Sequence, residues 1–479
     1  MSGGWVTVGS RYSVLSITAT AYRILSGLFY SSSGRHTFQR MSPYRLKLLA
    51  IAAALLNLPP ALLSAQVELA DSAARATRDS LAAVVLEDVK FLSADGLGGR
   101  LIGTPGADSA AAYIARRFAK AGLQPGPRGW FQDFTVSRDA PAASSAGIGG
   151  VVGHNVIGVA AGRDPSRRNE IVIVGAHYDH LGKGGFGSLD PDSTGSVHNG
   201  ADDNASGIAA LERIATQIAA SPPARTVVFI AFSGEEEGVL GSTYYTRNPL
   251  YPMTAVTSMV NLDMVGRLRN NRLIVYGVET ATEFRGILDS LNATAGFELH
   301  ASGDGYGPSD HQSFYIVGKP VLHMFTDLHE DYHRATDDWP KINSVGLVRV
   351  ADFTAGVVRA LADRKQPLTF VNAPPPSHAA GPAAVTPGYG AYLGTIPDMA
   401  GGDARGVRIS GVRAGSPAEA AGLKADDVIT KIGDLDVPDL QAMTTALRAH
   451  KPGDKVEIRV LRGEQSLLLT ATLGTRSSS

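Results

Sequence analysis

Two apolar rhythms alternate along the chain. "NEIVIVGAH" is a short, continuous β-branched run, the mark of a strand buried on both faces. "RTVVFIAFSG", "TAVTSMVNLDMVG", "NRLIVYG" and "KPVLHMFTD" also predict strands. Between and around them, apolar residues recur at three- and four-residue steps. This spacing predicts helices over "ELADSAARATRDSLAAVVLEDVKFLS", "GADSAAAYIARRFAKAGL" (stopping at Gly122), "ASGIAALERIATQIAAS", "TATEFRGILDSLNATAG" and "VGLVRVADFTAGVVRALADR". Strands alternating with helices predict an α/β fold, with a mixed, mainly parallel-core sheet flanked by helices.

The pattern then changes. "NAPPPSHAAGPAAVTPG" is rich in Pro, Ala and Gly and reads as a linker, placed at residues 373–385. Beyond it, short strands, two short helices and turn residues predict a small β-rich module over 386–475, about ninety residues and within the usual domain range. Residues 66–372 form the larger domain ahead of the linker.

The beginning follows a different logic. Met41 opens a segment in which Arg45 and Lys47 precede an apolar run from Leu48 to Leu56 and small residues follow. This is the layout of a signal peptide over 41–65, cut near Ala65, although Leu63 departs from an A-x-A site. Residues 1–40 carry no comparable pattern and read as a non-native extension ahead of a true start at Met41. Export to a periplasmic or secreted location is expected, with no stable membrane span once the signal is removed. An uncleaved signal would leave a membrane anchor.

Composition narrows the function. The chain has 479 residues, which suits two or three units; 44% are hydrophobic and 19% charged, as in a soluble globular protein. The formal net charge of -1 and the lack of a dense basic tract argue against nucleic acid as a partner. Cysteine is absent, which removes disulfides, thiolate metal sites and cysteine nucleophiles. Any metal here is held by histidines and carboxylates.

Such residues gather at the ends of the predicted strands. His177 and Asp179 follow "IVIVGA", Glu235 and Glu236 follow "VVFIAFSG", Asp263 closes "MVNL", and His333 lies beyond "VLHMF"; Asp202 stands just ahead of a helix. In an open α/β sheet, ligands bind in the crevice at the carboxyl ends of the strands. Each residue taken singly has a plain structural alternative: a hydrogen-bonded core histidine, a helix N-cap, a solvated acidic turn. Five such places together describe two divalent metals sharing one carboxylate, with Glu235 as a spare beside a ligand. That is equipment for hydrolysing a stable bond such as an amide.

The series "HYDH…NGADDNASG…GEEEG…NLDM…DYHRATD" resembles the co-catalytic zinc aminopeptidase family, whose bacterial leucyl aminopeptidases have a globular α/β domain, over roughly residues 85–365. The resemblance implies a zinc exopeptidase-like fold and two zinc ions, with cobalt or manganese as possible substitutes. It implies that Asp202 bridges both metals, that His177 and Asp263 complete one site, and that Glu236 and His333 complete the other. Glu235 matches the general base, Asp179 the carboxylate orienting a ligand imidazole, and Glu237 a bystander. "GPSDHQSF" resembles a segment near the substrate pocket, which makes Asp310 and His311 pocket candidates. His180, His198, His323 and His329 read as structural or supporting. The implied activity is removal of N-terminal residues from peptide substrates. A carboxypeptidase of the same superfamily stays open, as does a non-catalytic, receptor-like binder; the complete ligand set disfavours a single-zinc glutaminyl cyclase branch.

"AYLGTIPD", "SPAEAAGLKADDVI" and "LRGEQ" resemble a PDZ domain. The resemblance implies that the strand at Leu393, Gly394 and Thr395 accepts a peptide by edge addition, opposite the "DLQAMTTALRA" helix. A peptide or protein ligand of this module is the second expected partner. The alternative is a stabilising appendage that binds no peptide.

Overall fold

In the computed structural model, residues 60–372, 391–398 and 405–474 are described, apart from positions 191, 192, 194, 308 and 439. The extension at 1–40, most of the expected signal and the linker at 373–385 lie outside these residues. Apart from the first part of the entry helix, the features below belong to one compact unit, Ala74–Ser479. Among the described residues, no helix is long and apolar enough to cross a membrane.

The chain enters through helices α1 (Pro60–Leu92) and α2 (Pro105–Lys120) and the short strands β1 (Gln124–Pro125) and β2 (Phe131–Thr135). β3 (Val152–Ala160) and β4 (Ile171–His177) lead to α3 (Gly207–Ala220) and β5 (Thr226–Phe232). Then come α4 (Leu240–Arg247), β6 (Val256–Leu262), β7 (Arg272–Tyr276), α5 (Phe284–Ala295), β8 (Glu298–Ser302), α6 (His311–Ile316), β9 (Val321–Phe325) and α7 (Ser344–Asp363).

These strands form one nine-stranded sheet in the order β1-β3-β5-β4-β6-β9-β7-β8, with β2 also paired to β3. β5, β4, β6 and β9 run parallel, so their carboxyl ends open on the same side. The parallel core is as expected from the β-branched runs, and every residue of β4 and β5 is buried. Helices α2, α3, α5 and α7 contribute Ile114, Phe118, Ile208, Leu211, Leu288, Leu347 and Val358 to the apolar core shared with the sheet. α7 is preceded by Asn343, whose side chain accepts from Gly346 N, a helix cap.

Four strands of this sheet have no counterpart in the apolar pattern: β1, β2, β3 and β8. β3 interleaves glycine, His154 and Asn155 with its apolar residues, which hides its rhythm. Its Gly158 is required by packing: a Cβ there would stand 2.6 Å from the Leu123 side chain and 2.8 Å from Phe118. β3 pairs antiparallel with β5 and makes the sheet mixed.

Residues 391–474 build a second, antiparallel sheet. Its elements are β10 (Thr395–Pro397), β11 (Val407–Val412), α8 (Pro417–Ala420), β12 (Val428–Ile432), β13 (Leu435–Asp436), α9 (Leu440–Arg448), β14 (Lys455–Arg462) and β15 (Gln465–Thr472). The strand order is β10-β11-β12-β14-β15, with β13 beside β12. Its core is separate, built on Ile409, Ile429, Ile432, Ile458 and Val460.

Candidate metal centre

The parallel strands deliver their chemistry to one crevice. His177 is the last residue of β4, Glu235 and Glu236 follow β5, and Asp263 follows β6. His333 arrives on the loop after β9, where its backbone is left-handed (φ 54°) and its Nδ1 lies 2.8 Å from the Gly187 carbonyl. Asp203 lies on the turn 201–206 that leads into α3.

Asp203 is the hub. Its Oδ1 is 3.3 Å from His177 Nε2 and its Oδ2 is 3.3 Å from His333 Nε2. His177 Nε2 also lies 3.4 Å from Asp263 Oδ1 and 4.0 Å from Glu235 Oε2. His333 Nε2 lies 3.1 Å from Glu236 Oε2. Thus His177, Asp203 and Asp263 face one point, while Asp203, Glu236 and His333 face another.

The carboxylate that faces both imidazoles is therefore Asp203 and not the expected Asp202. Asp202 turns away from the imidazoles: its Oδ1 accepts Gly266 N at 2.7 Å and its Oδ2 faces His329 Nε2 at 3.1 Å. Both backbone N–H groups of the pair donate to Asp337 Oδ2, at 2.8 and 3.1 Å. Arg267 in turn holds Asp337 Oδ1 at 2.8 Å. Two adjacent acidic side chains on a tight turn project to different sides, and only the backbone path decides which one enters the crevice.

The other expected residues are placed around these positions. Asp179 is fully buried beside His177: its backbone carbonyl is 3.3 Å from His177 Nδ1 and its carboxylate 3.8 Å away, while its Oδ2 accepts Glu236 N at 3.2 Å. It braces both a ligand-type imidazole and the glutamate loop. Asp310 and His311 are fully buried at the start of α6. His311 stacks on His323 with ring centroids 4.4 Å apart. Glu237 points inward too; burial and the nearby Asp179 and Glu236 raise its carboxyl well above the usual range.

Supporting residues surround these positions; His180 is among those expected, whereas Ser309 and Arg100 are not. His180 Nδ1 lies 2.6 Å from Glu236 Oε1, so this histidine orients a ligand-type carboxylate. The "HYDH" motif holds that signal in its last residue. Ser309 donates to Asp263 Oδ2 at 2.7 Å and accepts from Asn261 Nδ2 at 2.8 Å. Arg100, also buried, donates from Nε to Tyr178 O at 2.7 Å, from Nη1 to Asn199 O at 2.6 Å and to Leu92 O, and from Nη2 to Gly200 O at 3.0 Å. One guanidinium so joins the end of α1 to the two stretches that carry His177 and Asp203. No spacing in the chain announces that role, because its partners are all backbone.

The electrostatics are those of clustered charge. Burial raises the Glu235 carboxyl well above its ordinary value, with further push from Glu236, Asp263 and Asp310. Burial also acts on Glu236, but His333 and His180 outweigh it and hold its carboxyl at about 2. His333 is lifted to about 11, because Glu236 and Asp203 outweigh its burial. Buried carboxylates packed this closely need cations. The donor set is imidazole and carboxylate with no thiolate, which fits zinc and admits cobalt or manganese.

In the second sheet, Gly394 adopts a left-handed backbone (φ 87°), and a Cβ there would stand 2.3 Å from the Ser416 side chain. The carbonyl of Leu393 accepts Ala418 N and that of Gly394 accepts Arg413 N, both at 2.8 Å. The N–H groups of Leu393 and Gly394 have no partner among the described residues. β10, with Thr395, ends the strand order, and α9 reaches the same loop through Ala391 N to Leu447 O at 3.1 Å.

Comparison with known proteins matches both parts of the chain. Residues 155–358 match Peptidase family M28 and residues 390–473 match a PDZ domain. Leupeptin-inactivating enzyme 1 of Streptomyces exfoliatus is 26% identical over 301 residues, covering 58% of this chain and 60% of that protein. Aminopeptidase YwaD of Bacillus subtilis is 29% identical over 228 residues, covering 45% of this chain and 46% of that protein. The chain thus spans about half the length of these curated relatives. A Zn-dependent exopeptidase from Parabacteroides distasonis superposes with a TM-score of 0.48 at 22% identity, over 59% of this chain and 97% of that one. The segment 155–358 is thus of the Peptidase family M28 kind, with zinc aminopeptidase-like relatives, and residues 390–473 form a PDZ-type module.

Proposed function

We propose that this chain is a two-zinc aminopeptidase that removes N-terminal residues from peptides. The observation that carries the reading is Asp203, whose two oxygens each face a different imidazole at 3.3 Å. His177 and Asp263 would hold one ion with Asp203, and Glu236 and His333 the other. Zinc bound there supplies Lewis acidity toward the scissile carbonyl and makes water acidic enough to attack at neutral pH.

The chain's own residues do the rest. Glu235 stands 4.0 Å from His177 Nε2 beside the ligand positions, placed to accept the proton of the attacking water. As oxygen adds to the carbonyl carbon and the C–N bond breaks, Glu235 returns that proton to the leaving amine. Asp179 and His180 keep His177 and Glu236 in register, and Ser309 steadies Asp263. Similarity to the Bacillus subtilis aminopeptidase favours cleavage at the amino end. We extend the proposal to export, on the signal-like pattern of residues 41–65.

The test is turnover of aminoacyl and C-terminal peptide reporters by the purified chain, with chelation and zinc add-back. Chelator-sensitive turnover of the aminoacyl reporter, restored by two equivalents of zinc, is the expected result. Turnover of only the C-terminal reporter would make it a carboxypeptidase, and turnover of neither after zinc add-back would make it a binder.

A further inference from the structure

The PDZ domain meets the peptidase domain at two chain segments that lead straight to the metal centre. The first is α4. Its N-terminal end leaves the glutamate loop, with Val239 N bonded to Glu235 O and Leu240 N to Gly234 O, both at 2.8 Å. Its last residue, Arg247, pairs with the buried Asp398 at 2.7 Å, just past the end of β10. The second segment carries Tyr306 and Ser309. Tyr306 donates to the Val412 carbonyl at 3.0 Å, with Arg413 lying 5.4 Å over its ring, while Ser309 holds Asp263. Ile316, at the end of α6, packs against Gly411 of β11.

β10 therefore has a direction relative to the site. Gly394 and Asp398 turn their backbone groups toward β11, through Arg413 N to Gly394 O at 2.8 Å and Asp398 N to Arg408 O at 2.9 Å. By the two-residue alternation of a strand, Thr395 and Pro397 face the open edge. A peptide adding antiparallel to that edge puts its terminal carboxylate at the N–H groups of Leu393 and Gly394. Its upstream residues then run toward Pro397, Asp398 and Arg247. Proline has no N–H to donate, so the ladder stops there. The peptide is released from the strand after about three residues, at the far end of α4, whose start is bonded to the glutamate loop.

We propose that the PDZ groove holds the C-terminal carboxylate of the same peptide whose amino terminus lies in the metal crevice, so that the chain prefers peptides of about eight to twelve residues. This rests on the aminopeptidase reading above. α4 is about 12 Å long at 1.5 Å per residue, and the turn before it adds a few ångströms. An extended peptide covers about 3.3 Å per residue, so five or six residues bridge the gap beyond the three held on β10. Both ends engaged together raise the local concentration of the amino terminus into the millimolar range, an advantage lost when the peptide no longer spans. Trimming from the amino end should then slow at a common residual length.

The test uses the full chain with zinc and a peptide series of four to fifteen residues, each as free acid and as C-terminal amide. Leucyl-p-nitroanilide turnover is measured alongside. The expected result is a KM at least ten-fold lower for the acid than for the amide at nine residues and above, no difference at four, and pile-up of a common product near eight residues from acids only. Gly394→Val, which forces a side chain into Ser416, should erase the acid–amide difference. Equal KM for acid and amide at every length, with leucyl-p-nitroanilide still cleaved, overturns this proposal alone. Tighter binding of acids in fluorescence anisotropy without any KM difference also overturns it, and would assign the groove to a separate partner. Failure to cleave leucyl-p-nitroanilide would instead overturn the aminopeptidase reading on which it rests.

Discussion

The Asp203 carboxylate stands 3.3 Å from the His333 imidazole, and that contact joins the turn before α3 to the loop after β9. Its other oxygen reaches His177, so one side chain links both halves of the crevice. Asp202, its neighbour in sequence, is bound to Gly266 and His329 instead.

Asp203→Asn should empty both ion positions, because an amide cannot bridge two cations as a carboxylate does. Asp202→Asn should keep two ions per chain and lose stability instead. Metal content after gel filtration checks both variants. Two ions retained in Asp203→Asn would return the bridging role to another residue.

Glu235→Gln should keep its metal and lose activity by about 10²–10⁴-fold, the usual contribution of a positioned proton carrier. The measurement is kcat on an aminoacyl reporter beside zinc content. Near-normal kcat at full zinc occupancy would sink the base assignment.

Arg100→Met should weaken metal retention as well as the fold. It strips the donors from the Leu92, Tyr178, Asn199 and Gly200 carbonyls. Unsatisfied buried acceptors cost about 1–3 kcal/mol each before relaxation, so a loss on the order of 3–5 kcal/mol in urea unfolding is expected. Chelator competition should show zinc leaving at least ten-fold more readily, since the backbone beside His177 and Asp203 is no longer tied. An unchanged zinc affinity would limit Arg100 to a purely structural part.

The His311–His323 stack should make the fold sensitive to mild acid. Burial depresses His323 to about 4 and holds His311 well below its ordinary value. The unfolded chain takes up protons below about pH 6.5 while the folded imidazoles stay neutral. Stability present above pH 6.5 is therefore lost as the pH falls toward 4, by roughly 3 kcal/mol for His323 at about 1.4 kcal/mol per pH unit. Urea unfolding between pH 7 and 4 should show this slope, and His323→Phe should flatten it. An identical slope in the variant would place the acid sensitivity elsewhere.

Much of the chemistry and the layout is legible in the chain itself. β-branched runs such as "IVIVGAH" require two covered faces, so the parallel core and its carboxyl-end crevice follow from local composition. His177, Glu236, Asp263 and His333 are readable because each directly follows or lies beyond such a run. β3 stays hidden because its glycines and polar residues serve contacts with Phe118, Leu123 and the sheet edge, which no single-strand pattern encodes.

What the sequence by itself determined is therefore the residue types, the strands that carry them and the side of the sheet on which they meet. Periodicity is local, and hydrophobic burial enforces it. Tertiary structure alone decided that Asp203 and not Asp202 faces the imidazoles, that His180 steadies Glu236, and that Arg100 ties the two ligand stretches together. It also set β10 beside α4 through Asp398 and Arg247. These choices depend on where a turn points its side chains and which distant backbone it meets, and neighbours in sequence carry no record of either.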